Sequence, residues 1–341
     1  MQGIRSEFDG RPDDGATMVV ADGVSWLRMP LPFRLNHINL WLLRNDRDCV
    51  IVDTGMGMKT CHDTWDAVLA GELKDATVSG VVVTHMHPDH AGCAGWLVDR
   101  LATDFWMTRQ EYLMCRVLVT DTNADVPEPA LRFYRAAGFS AEQLETYKAH
   151  FGMFGKFVPD MPRSYRRLRD REQPDFDGGA WEVVIGRGHS PEHACLFDAE
   201  RNVVIAGDQI LPTISPNVSV WPTEPQANPL GDFFDSISTL EARLPEDVLV
   251  LPAHGTPFRG AHARLEALRK EHTDKLNALL ENGGSPRRAV DTFTDLFGRP
   301  IDDRNRVMAT GEALAHLHYL VENGDMVADV DDDHVTWFRR R

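Results

Sequence analysis

Short apolar runs separated by turn residues open the chain: Met18 to Ala21, a run containing Trp26 that ends at Met29, Ile38 to Leu43, and Cys49-Val50-Ile51-Val52, which stops at Asp53-Thr54-Gly55. Runs of this length predict strands, and the Asn45-Asp46 turn predicts that the first ones pair antiparallel. Residues 58–71 then space Trp65, Val68 and Leu69 at helical intervals. Val78 to Val83 reads as a buried strand, with a helix expected from Ala91 to Leu101. A strand beginning at Asp104 and a helix from Arg109 to Val119 follow. The stretch 120–171 changes character: it carries Phe133, Tyr134, Phe139, Tyr147, Phe154 and Phe157 among prolines and turns, and predicts helices rather than sheet. Such an aromatic insertion suits a wall or lid over an apolar substrate, and equally suits plain packing or a dimer contact. Strands resume at Trp181 to Ile185, Val203 to Ala206 and Val248 to Leu251.

Beyond Gly260 the pattern becomes helical. Ala261 to Asn282 predicts a long helix ending at Gly283-Gly284, Ser285-Pro286 signals the start of another, and Arg306 to Glu322 predicts a third. Gly324 to Arg339 reads as a hairpin. The expected organisation is a polar, flexible lead over 1–16, a catalytic domain over 17–260 containing the 120–171 insertion, and a small winged-helix-like domain over 261–341.

Composition narrows the picture. With 341 residues, 43% of them hydrophobic, the chain can bury a large core, and a net charge of -16 disfavours nucleic acid and anionic membranes as partners. The five cysteines form no CxxC pair, and the first fifteen residues have no apolar core of signal-peptide type. Both point to a cytoplasmic protein without structural disulfides.

The chemistry concentrates in Thr84-His85-Met86-His87-Pro88-Asp89-His90, which ends the strand from Val78. In an extended segment His85 and His87 point the same way, so both imidazoles can reach one ion. Pro88 interrupts the ladder and frees Asp89 and His90 to face a second ion. Three later apolar runs also end in a ligand type beside glycine: Gly188-His189, Gly207-Asp208 and His254-Gly255. Ligand-type side chains thus gather along one edge of the predicted sheets.

This ordered set, with Asp53 in IVDTG, resembles the metallo-beta-lactamase superfamily over about residues 18–260. The resemblance implies a four-layer alpha/beta-beta/alpha sandwich. It also implies that His85, His87 and His189 bind one ion, that Asp89, His90 and His254 bind the other, and that Asp208 bridges them. Two zinc ions are expected, with iron or manganese also fitting the donor set. Asp53 and Thr84 are expected to hold ligand imidazoles in place, and His193 to support the site rather than ligate, since each ion already has enough donors. The sequence departs from the family pattern at Ala253, where glycine is common, and at Glu192, which replaces a frequent glycine.

The function this implies is metal-dependent hydrolysis, with a metal-bridging hydroxide attacking an acyl carbon and Asp89 managing protons. A thioester or related ester is the preferred small-molecule acyl substrate, Phe154 and Phe157 being candidates for its acyl chain and Arg163 and Arg166 for its anionic groups. Lactone or beta-lactam hydrolysis uses the same centre. The C-terminal helices and Arg339-Arg340-Arg341 suggest a nuclease or nucleic-acid-binding protein instead, which the acidic Asp329, Asp331, Asp332 and Asp333 oppose. A homodimer is also compatible with the sequence.

Overall fold

A computed structural model describes residues 3–45, 48–176 and 179–341. In chain order, Arg5–Ser6 (β1) precedes Thr17–Ala21 (β2), Val24–Pro30 (β3), His37–Asn45 (β4) and Asp48–Val52 (β5). Lys59–Ala70 (α1) leads to Thr77–Val82 (β6), the helices Pro88–Ala91 (α2) and Ala94–Leu101 (α3), and Asp104–Met107 (β7). Helix Arg109–Thr120 (α4) is followed by the insertion helices Glu128–Ala136 (α5), Ala141–His150 (α6) and Phe154–Phe157 (α7), and then by Arg166–Arg167 (β8). The second half runs Trp181–Gly186 (β9), His193–Asp198 (β10), Val203–Gly207 (β11), Pro229–Arg243 (α8), Leu249–Pro252 (β12) and Phe258–Arg259 (β13). Ala261–Glu281 (α9), a 3-10 turn at Ala289–Thr292, Phe293–Phe297 (α10), Arg306–Glu322 (α11) and the hairpin Met326–Val330 (β14) with Thr336–Arg340 (β15) complete the chain.

Among the described residues the strands form two mixed sheets, ordered β2-β3-β4-β5-β6-β7-β8 and β1-β13-β12-β11-β10-β9. The uninterrupted apolar runs follow from burial on both faces. Along β4, Trp41 and Leu43 enter the layer between the sheets while Leu40 and Leu42 face α1 and α3. Along β11, Val203 and Ile205 enter the same layer while Val204 and Ala206 pack against α8 and α9. Period-two alternation therefore builds a four-layer helix-sheet-sheet-helix sandwich, to which α10, α11 and the β14-β15 hairpin add a C-terminal helical domain continuous with the α8-α9 layer. No described helix is long and apolar enough to cross a membrane.

Several expectations are corrected. Residues 3–16 are not loose, because Arg5–Ser6 pairs antiparallel with Phe258–Arg259 and Asp14 takes Arg28 at 2.8 Å. Strand β6 stops at Val82, so His85 and His87 lie in the bend between β6 and α2, and Pro88 starts a helix instead of merely ending a strand. Ser285-Pro286 does not start a helix. It leads into an exchange of backbone bonds between Arg287 and Phe338, which ties the hairpin down before the turn at Ala289. The turn expected at Asn45-Asp46 includes Asp46, which lies outside the described residues. The insertion is not one wall. Tyr134, Phe139 and Leu144 of the α5-α6 part cluster against Val290 and Val307 of the C-terminal domain, and α7 alone packs back towards α2 and α4.

Candidate metal centre

Every candidate ligand follows the C-terminal end of a strand. Asp53 follows β5, His85 to His90 follow β6, His189 follows β9, Asp208 follows β11 and His254 follows β12. Parallel pairing of β5 with β6 and of β11 with β12 brings each sheet's ends to one edge. Asn39 of β4 joins the edges: its Nδ2 donates to the Pro252 and Gly255 carbonyls at 2.8 and 2.9 Å, and its Oδ1 accepts from Trp26 Nε1 at 2.8 Å. Its backbone N–H donates to the Ala253 carbonyl at 2.7 Å. Ala253 is thus a buried link between the sheets, and its difference from glycine leaves the loop intact.

Two groups of donor atoms converge there, one from His85, His87, His189 and Asp208, the other from Asp89, His90 and His254. In the first, His85 Nε2 lies 2.8 Å from His87 Nδ1 and 3.3 Å from His189 Nε2. In the second, His254 Nε2 lies 3.3 Å from Asp89 Oδ2. Asp208 divides between them: Oδ2 is 3.3 Å from His189 Nε2, while Oδ1 is 3.4 Å from His254 Nε2 and 3.7 Å from His90 Nε2.

The partners of the outward nitrogens fix which ring nitrogen carries hydrogen. His189 Nδ1 faces the Asn217 carbonyl at 2.7 Å and His254 Nδ1 faces the His37 carbonyl at 2.9 Å, so both must donate and both Nε2 lone pairs point inward. His90 Nδ1 donates to Asp53 Oδ2 at 2.8 Å. Asp53 also accepts from Thr84 N and Thr84 Oγ1, and it does so from a left-handed backbone (φ 62°) that aspartate tolerates better than most residues. Thr84 Oγ1 in turn lies 3.2 Å from His85 Nδ1. Asp53 and Thr84 therefore orient His90 and His85. His193 joins neither group. Its Nε2 accepts the Asp208 backbone N–H at 3.1 Å, and it approaches so closely that a Cβ on Gly207 would sit 2.5 Å from that nitrogen.

The centre is built to attract positive charge: His85 and His87 are kept neutral, while the carboxylates around His90 and His254 favour a proton there that a metal ion would displace. Burial drives His85 well below the usual imidazole range, aided by His90 and His87, and burial lowers His87 to about 3. Burial also opposes charge on His90 and His254, but the surrounding Asp89 and Asp208, with Asp53 at His90, outweigh it and raise both. Burial would raise Asp208, yet His254 and His90 hold it well below the usual carboxylate range. The residues fit a pair of cations on a structural test as well. His90 Nε2 and Asp208 Oδ1 are buried with no hydrogen-bond partner, although both aim into the cluster, and such unpartnered polar atoms are costly unless an ion completes them. These are two His/Asp clusters of a dinuclear metal site.

Glu111 has no counterpart in the motif. It is fully buried in α4, where Oε2 accepts Met86 N at 2.9 Å and Oε1 accepts Ser190 Oγ at 2.6 Å and Glu192 N at 2.7 Å. One carboxylate thereby ties the His85-Met86-His87 bend to the loop carrying His189. Burial raises its carboxyl above the usual range despite those bonds. Glu192 completes the connection, its Oε2 accepting Gln110 N at 2.9 Å and its carbonyl accepting Thr108 Oγ1 at 2.8 Å, which accounts for a side chain where glycine was expected.

The expected substrate contacts divide. Phe157 is half-buried, accepts Gly57 N on its carbonyl at 2.8 Å and meets Phe33 edge-on at 6.5 Å between centroids. Phe154 is also half-buried and packs against the same core cluster as Phe157. The arginines are not brought to the centre: Arg166 pairs with Asp104 at 2.9 Å and covers the Trp106 ring at the outer edge of its sheet, and Arg163 is an exposed turn residue.

Comparison with known proteins agrees with this geometry. The Metallo-beta-lactamase superfamily model matches residues 34–254, and a model described as Metallo-beta-lactamase-like, C-terminal domain matches residues 276–341. The chain belongs to the metallo-beta-lactamase superfamily. The crystal structure of a beta-lactamase domain protein from Burkholderia ambifaria superposes with a TM-score of 0.90 at 37% identity, covering 99% of this chain and 98% of that one. The probable metallo-hydrolase YqjP of Bacillus subtilis is 23% identical over 89% of this chain and 93% of its own length. An acyl-coenzyme A thioesterase of Bos taurus is 22% identical over 56% of this chain and 64% of its own length.

Proposed function

We propose that this metal-dependent hydrolase cleaves an acyl thioester or related ester, holding one ion with His85, His87 and His189, the other with Asp89, His90 and His254, and both with Asp208. The observation that carries the dinuclear assignment is the division of Asp208, whose two oxygens face different clusters. Zinc is the preferred metal on the donor set of imidazole and carboxylate. Two bound dications supply a coordinated water acidic enough to lose its proton near neutral pH and an electrophile for the acyl oxygen.

The chain's own residues supply the rest. The Asn217 and His37 carbonyls and the Asp53 carboxylate keep three imidazoles turned so that one nitrogen of each faces the centre. His90 and His254 hold Asp89 below the usual carboxylate range against the opposing effect of burial. Its side chain is the more exposed of the two carboxylates, 20% against 11% for Asp208, which supports Asp89 over Asp208 as the group that exchanges protons with the reacting water.

The thioester reading is supported by the apolar rim and by the thioesterase relative. Phe33 and Leu35 are exposed in the turn leading to His37, and Phe157 faces Phe33. Arg34 and Lys156 are exposed on the same two segments and replace Arg163 and Arg166 as candidates for the substrate's anionic groups. The substrate is a small molecule. With a net charge of -16 the chain is not expected to bind nucleic acid or membrane. Hydrolysis of an acyl thioester, a lactone, a beta-lactam chromophore and RNA by the zinc-loaded protein tests the reading. Thioester turnover well above the other three is expected, and turnover confined to any of the others overturns it.

A further inference from the structure

The segment 211–220 follows β11 without regular structure, yet Leu211, Val218 and Val220 are buried in it. With no ladder to fix its path, its position depends on side chains and carbonyls from elsewhere. Those come from the C-terminal helices. Arg264 of α9 donates from Nη2 to the Ile214 carbonyl at 2.7 Å and from Nε to the Leu211 carbonyl. In α11 the Gly311 carbonyl accepts Val220 N at 3.0 Å, the Met308 carbonyl accepts Ser219 Oγ at 3.3 Å, and Glu312 Oε2 accepts Asn217 Nδ2 at 3.1 Å. Lys275 of α9 fixes the other Glu312 oxygen at 2.8 Å. The approach of helix to segment is close enough to require glycine, since a Cβ on Gly311 would lie 2.7 Å from Ser219 Cβ and 2.9 Å from the Val220 carbonyl oxygen.

What this clamp holds in place is the Asn217 carbonyl, the acceptor that orients His189. We infer that the C-terminal helices are a working part of the metal centre, with Gly311 and Glu312 acting through Asn217 as positioning residues for His189. The inference rests on the dinuclear reading above. It extends that reading by making the first cluster's affinity depend on a domain that contributes no ligand.

The test is a chelator-competed zinc titration of the full chain in a His254→Ala background, which leaves the first cluster to titrate, at a temperature well below the melting transition. Gly311→Ala and Glu312→Ala should each weaken zinc binding about tenfold or more, the scale on which partners of metal ligands act. Glu322→Ala, on the same helix but bonded to Asn228, should leave it unchanged. A role limited to fold stability would lower the melting temperature and leave the affinity of the folded protein alone. Affinities within twofold of the background in both Gly311→Ala and Glu312→Ala overturn the inference. A background that binds no zinc removes the dinuclear reading and the inference with it, a result distinguishable from the first.

Discussion

Replacing Glu111 by alanine should damage the metal centre without touching a ligand. The carboxylate accepts two backbone N–H groups, of Met86 and Glu192, and the Ser190 hydroxyl, all within 2.9 Å in a fully buried site. The hydroxyl can turn to another acceptor, but the two amides cannot, and each buried donor left unpaired costs about 1–3 kcal/mol. Glu111→Ala should therefore lose about 2–6 kcal/mol of stability, a large share of the total for a folded domain. Glu111→Gln keeps one acceptor oxygen and turns an amide donor toward one of the three, so its loss should be smaller. Because the carboxylate spans the His85-His87 bend and the His189 loop, first-cluster affinity should fall by about 10–100-fold in the alanine variant. Urea unfolding of the metal-free variants and chelator-competed zinc titration measure the two effects. A loss under about 1 kcal/mol with unchanged zinc affinity would refute the role assigned to Glu111.

Asp208→Ala should bind fewer ions than Asp89→Ala, because only the former offers an oxygen to each cluster, and metal analysis of the two purified variants decides it. Burial lowers His272 to about 2 and His316 to about 4, and with His316 Nδ1 donating to the Glu312 carbonyl its Nε2 must keep a lone pair to accept from His272 Nδ1. The unfolded chain takes up these protons near pH 6.5 and the folded one does not, so stability is full above that pH. It should fall by about 1.4 kcal/mol per pH unit for each ring as the pH drops from 6.5 towards 4. Urea unfolding at pH 5 and pH 7 should show His272→Gln losing one ring's share of the dependence, about 1.4 kcal/mol per pH unit below 6.5 relative to the unsubstituted chain, and an unchanged dependence would refute the assignment. Phe157→Ala should shift relative rates along an acyl-chain series while leaving metal content unchanged; relative rates the same as those of the unsubstituted chain, with a lowered melting temperature, would make Phe157 a packing residue only.

The two His/Asp clusters were readable in the sequence because metal chemistry needs particular side chains at strand ends, and a strand that stops at aspartate or histidine beside glycine is a local pattern. The strands were readable for a related reason: burial on both faces makes β11, β12 and residues 49–52 of β5 unbroken apolar runs. Glu111 and Asn39 were not, since each acts through partners far away in the chain, and a lone glutamate in helix α4 or asparagine in strand β4 has no local signature. The same holds for the C-terminal clamp, where Gly311 reads as an ordinary helix residue until Ser219 is placed against it. Strand β10 begins at His193, whose polar side chain hides the strand start, whereas α8 carried an overlooked signal in Asn228 capping Gly231 N ahead of Pro229. Arg163 and Arg166 misled because a run of arginines marks charge but not where it points, and Asp104 already answers Arg166.

The most direct test of the central claim is the anomalous diffraction map of zinc-loaded crystals. The account predicts two zinc peaks per chain, one against His85, His87 and His189, the other against Asp89, His90 and His254, with Asp208 touching both. A single peak, or two peaks of which only one contacts Asp208, would contradict it.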